Sequence, residues 1–236
     1  MDRFQRYAVY YAPEPGAFAD FAASWLGWDA ESGSEVVHPD VNGLPLPVAD
    51  ITATPRKYGF HGTIKPPFRL AEGSSDVGLM ADLEALASNL APVTLDGLEL
   101  SLLGRFLALT PSGDQRALAD LAAKVVEGLD QHRRPASEAE LKKRRGAGLS
   151  ERQDANLMKW GYPYVMEEFR FHLTLSGKLS KPEAQATQDT LAPVLAPLLP
   201  RPFSVSELCL FGEASDGRFH LIHRYTLSGA SAATIA

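Results

Sequence analysis

The chain has 236 residues, enough for one large domain or two units sharing a core. Hydrophobic residues make up 45% and charged residues 22%, an ordinary globular composition, and the net charge of −6 disfavours a long nucleic acid as the main partner, because phosphate backbones recruit basic faces. A single cysteine, Cys209, excludes an internal disulfide; with no signal-like apolar stretch at the N-terminus and no run of membrane-spanning length, this points to a cytoplasmic chain with no membrane partner.

Arg6 to Ala12 is rich in aromatic and branched residues and predicts a strand, stopped by Pro13 and Pro15. Gly16 to Trp28 predicts a helix, with Phe18, Phe21, Ala22, Trp25 and Trp28 at helical spacing as a core stripe. Asp29 to Arg56 carries Gly33, Gly43 and four prolines and reads as a loop long enough to be functional. The segment Phe60-His61-Gly62-Thr63-Ile64-Lys65 then predicts a strand, ended by Pro66-Pro67. By alternation His61, Thr63 and Lys65 share a face, where Lys65 is either a site cation or a solvated edge lysine.

Helical stretches follow at Asp76 to Asn89 and at Asp114 to Gly128. Residues 131–161 are the least patterned; Lys142 to Arg145 reads as a solvated basic run, and His132 as a helix C-terminal contact. The aromatic run through Trp160, Tyr162 and Tyr164 is either a ligand wall or a loop tucked onto the core. Arg170, His172 and Thr174 share one face of a second short strand, Phe171 to Leu175. A helix at Pro182 to Leu198 and a hairpin from Phe203 to Leu227 complete the chain; His220 and His223 have opposite parity there, and the small, polar tail from Ser228 to Ala236 is expected to be disordered.

The two His-x-Thr segments head an internal repeat. After His61 come a helix, Glu99-Leu100-Ser101-Leu102-Leu103-Gly104 and Arg105-Phe106-Leu107; after His172 come a helix, Glu207-Leu208-Cys209-Leu210-Phe211-Gly212 and Arg218-Phe219-His220-Leu221. A single His-x-Thr carries little weight, but the same element order twice with the motif at matching places carries more. Cys209 aligns with Ser101 and reads as core. Two imidazoles allow paired acid and base work near neutral pH, and hydroxyls can donate to non-bridging phosphate oxygens. A cyclic phosphodiester suits such a site. The sequence has no metal-ligand cluster, no phosphate-binding glycine loop of the Walker type and no dinucleotide fingerprint, so no metal and no cofactor is expected.

The strings Arg-Lys-Tyr-Gly-Phe-His-Gly-Thr-Ile-Lys-Pro-Pro-Phe and Tyr-Val-Met-Glu-Glu-Phe-Arg-Phe-His-Leu-Thr-Leu-Ser-Gly resemble those of the 2H phosphoesterase superfamily, in its bacterial branch linked to phosphonate metabolism. The resemblance implies an α+β class in a duplicated bilobal fold: two antiparallel sheets with outer helices around a central cleft, within one domain over residues 1–236 whose halves span about 55–130 and 165–228. It implies His61 and His172 as the acid/base pair and Thr63 and Thr174 as phosphate ligands. Tyr58, Lys65, Arg170, Trp160 and Tyr162 are the candidate substrate contacts. The implied activity is metal-independent opening of a small ribose or nucleoside cyclic phosphate, in phosphonate breakdown. Two alternatives stay open: action on RNA 2′,3′-cyclic ends, including ligation, and a non-catalytic protein that binds a phosphate sugar or nucleotide.

Overall fold

The computed structural model describes residues 4–146 and 148–230. In chain order the elements are β1 (Arg6–Tyr11), α1 (Ala17–Leu26), a small hairpin of β2 (Trp28–Asp29) and β3 (Ser34–Glu35), α2 (Val48–Ile51), β4 (Gly62–Phe68), α3 (Asp76–Asn89), β5 (Val93–Leu95), β6 (Gly97–Leu103), β7 (Phe106–Ser112), α4 (Arg116–Gly128), α5 (Glu138–Arg145), α6 (Glu151–Trp160), β8 (Leu173–Thr174), α7 (Lys181–Leu195), β9 (Phe203–Val205), β10 (Glu207–Glu213) and β11 (Phe219–Thr226). Local chemistry sets the helix ends. Ser75 caps α3 through Gly78 N–H, and Ser180 with Glu183 forms a capping box on α7. The segment read as unpatterned holds α5 and α6, each opened by a capping box, Ser137 with Glu140 and Ser150 with Gln153. Among the described residues, no helix is long and apolar enough to cross a membrane.

The class is α+β, with every strand pairing antiparallel. The strands expected as two sheets are joined into one seven-stranded sheet in the order β11-β10-β1-β4-β8-β7-β6. The join is a single pairing, Gly62 with Leu173, between the two His-x-Thr segments. The halves of the repeat also exchange partners. β8 of the second half pairs with β7 of the first, while β4 of the first half reaches the β10–β11 hairpin of the second through β1. The helices follow suit: α3 packs on β10 and β11, and α7 on β6 and β7.

β1 sorts its side chains strictly by alternation. Tyr7, Val9 and Tyr11 enter the large core with Leu79 and Leu83 of α3, Leu118 and Val125 of α4, and Leu191 of α7. Ala8 and Tyr10 face the other way, into a smaller cluster with Trp28, Cys209, Phe211 and Phe219. Burial pushes the Cys209 thiol up to about 11, so it behaves as a small core residue. His132, expected at a helix dipole, is instead buried between Ser74 Oγ at 2.6 Å and Asp82 at 2.8 Å, which ties the end of the α4 segment to the start of α3. At the C-terminal end, Ser228 and Gly229 donate backbone N–H groups to Ala87 and Leu90 oxygens; residues 231–236 of the expected disordered tail lie outside the described residues.

At the β4–β8 join, the Phe171 ring lies on Gly62. A Cβ on Gly62 would stand 2.2 Å from Phe171 Cζ, so only glycine permits the contact. Gly62→Ala is expected to destabilise the fold by about 1–3 kcal/mol, the usual cost of overpacking a buried contact. Denaturant unfolding measures this; an unchanged midpoint would mean that the two segments do not depend on the contact.

Candidate active site

His61 and His172 are anchored in the same way. His61 Nδ1–H donates to the Gly59 carbonyl at 2.9 Å, and His172 Nδ1–H donates to the Arg170 carbonyl at 2.9 Å. A carbonyl oxygen only accepts, so each neutral ring carries its proton on Nδ1 and leaves Nε2 as the basic atom. Gly59 presents its carbonyl from a left-handed conformation, φ 68°, tight against Ala30, where a Cβ would come within 2.6 Å. The antiparallel register at Gly62 and Leu173, continued one residue each way, sets His61 opposite Thr174 and Thr63 opposite His172. Directly opposed side chains in such a pair have Cβ atoms about 4.5–5.5 Å apart. Among the described residues, neither threonine hydroxyl has a protein hydrogen-bond partner.

The surroundings of the two rings differ. Tyr10 stacks on His61 with centroids 3.9 Å apart and 27° between planes, and Tyr58 lies 5.8 Å away. Burial in this aromatic wall lowers the His61 pKa to about 4; the Gly59 carbonyl opposes the shift and the charge of His172 adds to it. Burial also raises the Tyr10 phenol well above its usual range, so Tyr10 is a neutral wall at all working pH values. His172 is the more open ring, with Phe106 5.7 Å away.

A cavity of about 370 Å³ opens at this point, within the size range of small-molecule sites. Three of the four motif residues line it, His61, Thr63 and Thr174, and His172 does not; the rest of the wall includes Tyr10, Tyr58, Tyr162, Thr54, Ser176, Arg6 and Arg144. Of the substrate contacts read from the sequence, Tyr58 and Tyr162 line it and three do not. Lys65 is 1% exposed and its Nζ binds the Val126 carbonyl at 2.9 Å, with Asp130 at 3.6 Å. The reason is a bulge in β4: Thr63 stands opposite Tyr10, but Lys65 stands opposite Val9, so parity flips and Lys65 enters the helix-side core. Arg170 turns back onto the Glu167 and Phe169 carbonyls, because β8 is regular only at Leu173–Thr174. Trp160 sits under the Lys159 ammonium, outside the cavity lining.

Residues that sequence reasoning missed complete the wall. Tyr10 and Arg6 come from β1, which is inserted beside β4. Arg6 is held by a bidentate bond to Glu213 at 2.5 and 2.7 Å. Arg144, from the run read as a solvated face, lies 4.7 Å over the Tyr162 ring and has no ion-pair partner among the described residues. Ser176 uses its hydroxyl locally, accepting from Leu107 N–H and donating to the Gly177 carbonyl. Among the described residues, no cluster of three or more His, Cys, Asp or Glu is placed to hold a metal ion.

The chain is 39% identical over 181 residues to ribose 1,5-bisphosphate phosphokinase PhnN of Janthinobacterium sp. (strain Marseille), covering 76% of this chain and 40% of that protein. It is 38% identical over 184 residues to the protein of the same name from Laribacter hongkongensis (strain HLHK9), covering 75% and 41%. The chain thus spans about two fifths of the length of these curated relatives. Among solved structures it is similar to a phosphoesterase, at 15% identity and a TM-score of 0.42 over 95% of this chain and 99% of that one, and to E. coli LigT complexed with NADP+, at 14% identity and 0.43 over 96% and 99%. The family model described as "Protein of unknown function (DUF1045)" matches residues 63–220, from Thr63 through the whole second motif, and the chain belongs to that family.

Proposed function

We propose that the protein is a metal-independent phosphoesterase that opens a small cyclic phosphodiester on a ribose or nucleoside. The observation that carries this reading is the matched pair of imidazoles. Each is locked by an Nδ1–H bond to the carbonyl two residues before it, and each is flanked by a threonine hydroxyl with no protein partner among the described residues. Binding alone has no use for two rings with the same nitrogen left free. The environments also divide the labour: His61, neutral down to about pH 4, is the base, and the more open His172 is the acid.

In this reading water attacks phosphorus, and His61 Nε2 takes its proton. The bond from phosphorus to one ring oxygen breaks, and that oxygen takes the proton from His172 Nε2. The product is a phosphomonoester with one hydroxyl regained. Thr63 and Thr174 donate to the non-bridging oxygens as charge builds there. Tyr58 and Tyr162 cover the sugar or base. The relatives' name supports a phosphorylated ribose as the substrate class, and the resemblance of both His-x-Thr strings supports a place in phosphonate breakdown. The kinase activity in that name is ascribed to the remainder of those longer proteins, since this chain carries no phosphate-binding glycine loop.

Turnover of nucleoside 2′,3′-cyclic phosphates and ribose 1,2-cyclic phosphates, assayed with a chelator present, tests the proposal. Wild type is expected to turn over, His61→Ala and His172→Ala to lose activity, and Thr63→Val or Thr174→Val to lose about 10²–10³-fold in kcat. Activity lost to the chelator and restored by a divalent metal would refute the metal-free mechanism; turnover retained in both histidine variants would refute the site. The pH dependence is a second test. Because the base is neutral above about 4, the rising limb of kcat/KM is expected near pH 4 and not at the ordinary imidazole value of about 6.5. The same shift has a stability sign. Between about 6.5 and 4 the unfolded chain binds a proton that folded His61 refuses, so this contribution is complete above the window and is lost as pH falls through it. A limb near 6.5 would contradict the assignment of His61 as base.

A further inference from the structure

Beside the catalytic cavity, and sharing Arg6, Pro67 and Arg144 with it, lies a second hollow of about 80 Å³. Five arginines line it: Arg6, Arg69, Arg133, Arg134 and Arg144. Two are neutralised in place, Arg6 by Glu213 and Arg133 by Asp130. Arg69, Arg134 and Arg144 have no ion-pair partner among the described residues. The backbone sets two of them side by side, since Arg134 N–H donates to the Arg69 carbonyl at 2.8 Å. The third comes from the last turn of α5, over the ring of Tyr162. One carboxylate lines the hollow, Glu140. It accepts from the Ser137 N–H and hydroxyl, which hold its pKa below the usual carboxylate range, and the nearby charges of Arg134 and Arg69 add to the shift.

Five guanidinium groups against three carboxylates, Glu213, Asp130 and Glu140, leave this hollow with an excess of positive charge in a chain of net charge −6, against the overall balance. Self-repulsion disfavours such a cluster unless an anion offsets it. Guanidinium geometry matches phosphate oxygens two at a time, and the hollow has room for one such group. We propose that this hollow is a second phosphate subsite, and that the substrate is therefore a cyclic phosphodiester that also carries a phosphomonoester. The diester faces His61, Thr63, His172 and Thr174, and the monoester reaches past Arg144 to Arg69 and Arg134. This rests on the phosphoesterase reading of the histidine site, and narrows its substrate class.

The test compares a nucleoside 2′,3′-cyclic phosphate bearing a 5′-hydroxyl with the same compound bearing a 5′-phosphate. The proteins are wild type and the double variant Arg69→Gln/Arg134→Gln, whose residues line only the second hollow. Wild type is expected to favour the 5′-phosphorylated compound by roughly 10–100-fold in kcat/KM, the worth of one or two charge-assisted contacts. The double variant is expected to lose that preference and to keep its rate on the 5′-hydroxyl compound. Equal rates in wild type, or a preference that survives the double substitution, would overturn the subsite. Calorimetric binding of both compounds separates this from failure of the phosphoesterase reading. If neither compound is turned over, that reading fails, yet tighter binding of the 5′-phosphorylated compound that the double variant abolishes still supports the subsite. Equal binding of the two compounds overturns it.

Discussion

The site depends on one contact, the Phe171 ring seated on Gly62 where β4 meets β8. Side chains alternate about that point, so packing Gly62, Phe171 and Leu173 away from the cleft leaves His61, Thr63, His172 and Thr174 for the other face. A larger residue at position 62 would part the strands and separate the imidazoles. The seven-stranded sheet is continuous only through this join, and it is short: β8 contributes two residues. What reinforces it comes from elsewhere. The repeat halves exchange partners, so that α3 packs on the hairpin of the other half and α7 does the reverse. Pulling the two motifs apart would break both sets of packing.

The repeat sets up two equivalent rings, and the rest of the chain makes them unequal. β1 has no counterpart between β8 and β7, so Tyr10 stacks on His61 at 3.9 Å while the ring nearest His172 among the described residues, Phe106, lies 5.7 Å away and tilted. Burial, to which the Tyr10 ring contributes, lowers the His61 pKa to about 4. A strand inserted inside the sheet, and not a change in either motif, breaks the symmetry.

Much of the architecture was legible in the sequence, because periodicity reports it directly. The Asp76 to Asn89 helix has the bounds read from its pattern, and both His-x-Thr segments and the hairpin after each stood out as a repeat. Other features were hidden for definite reasons. Alternation assumes an unbroken ladder, and bulges break it: one in β4 turns Lys65 into the core. Another, in the β10–β11 pairing, sets His220 opposite Gly212 and His223 opposite Leu210, two positions of the same parity, so their opposite parity in the sequence is undone. Of the helices in residues 131–161, α5 is polar with no buried residue and α6 buries only Asn156 and Leu157, so hydrophobic periodicity missed them, although the Ser-x-x-Glu and Ser-x-x-Gln capping boxes were there to be read. Arg144, Arg6 and Tyr10 reach the cavity through strand order and helix placement, which no local pattern encodes.

In the proposed mechanism both free imidazole nitrogens and both threonine hydroxyls address one phosphoryl group. Crystal structures with bound nucleoside 2′- and 3′-monophosphates, the two possible products of ring opening, put this to the test. Phosphate oxygens are expected within hydrogen-bond distance of Nε2 of His61, Nε2 of His172, and the hydroxyls of Thr63 and Thr174. A phosphate bound away from these four groups, or with only one imidazole in reach, would contradict it.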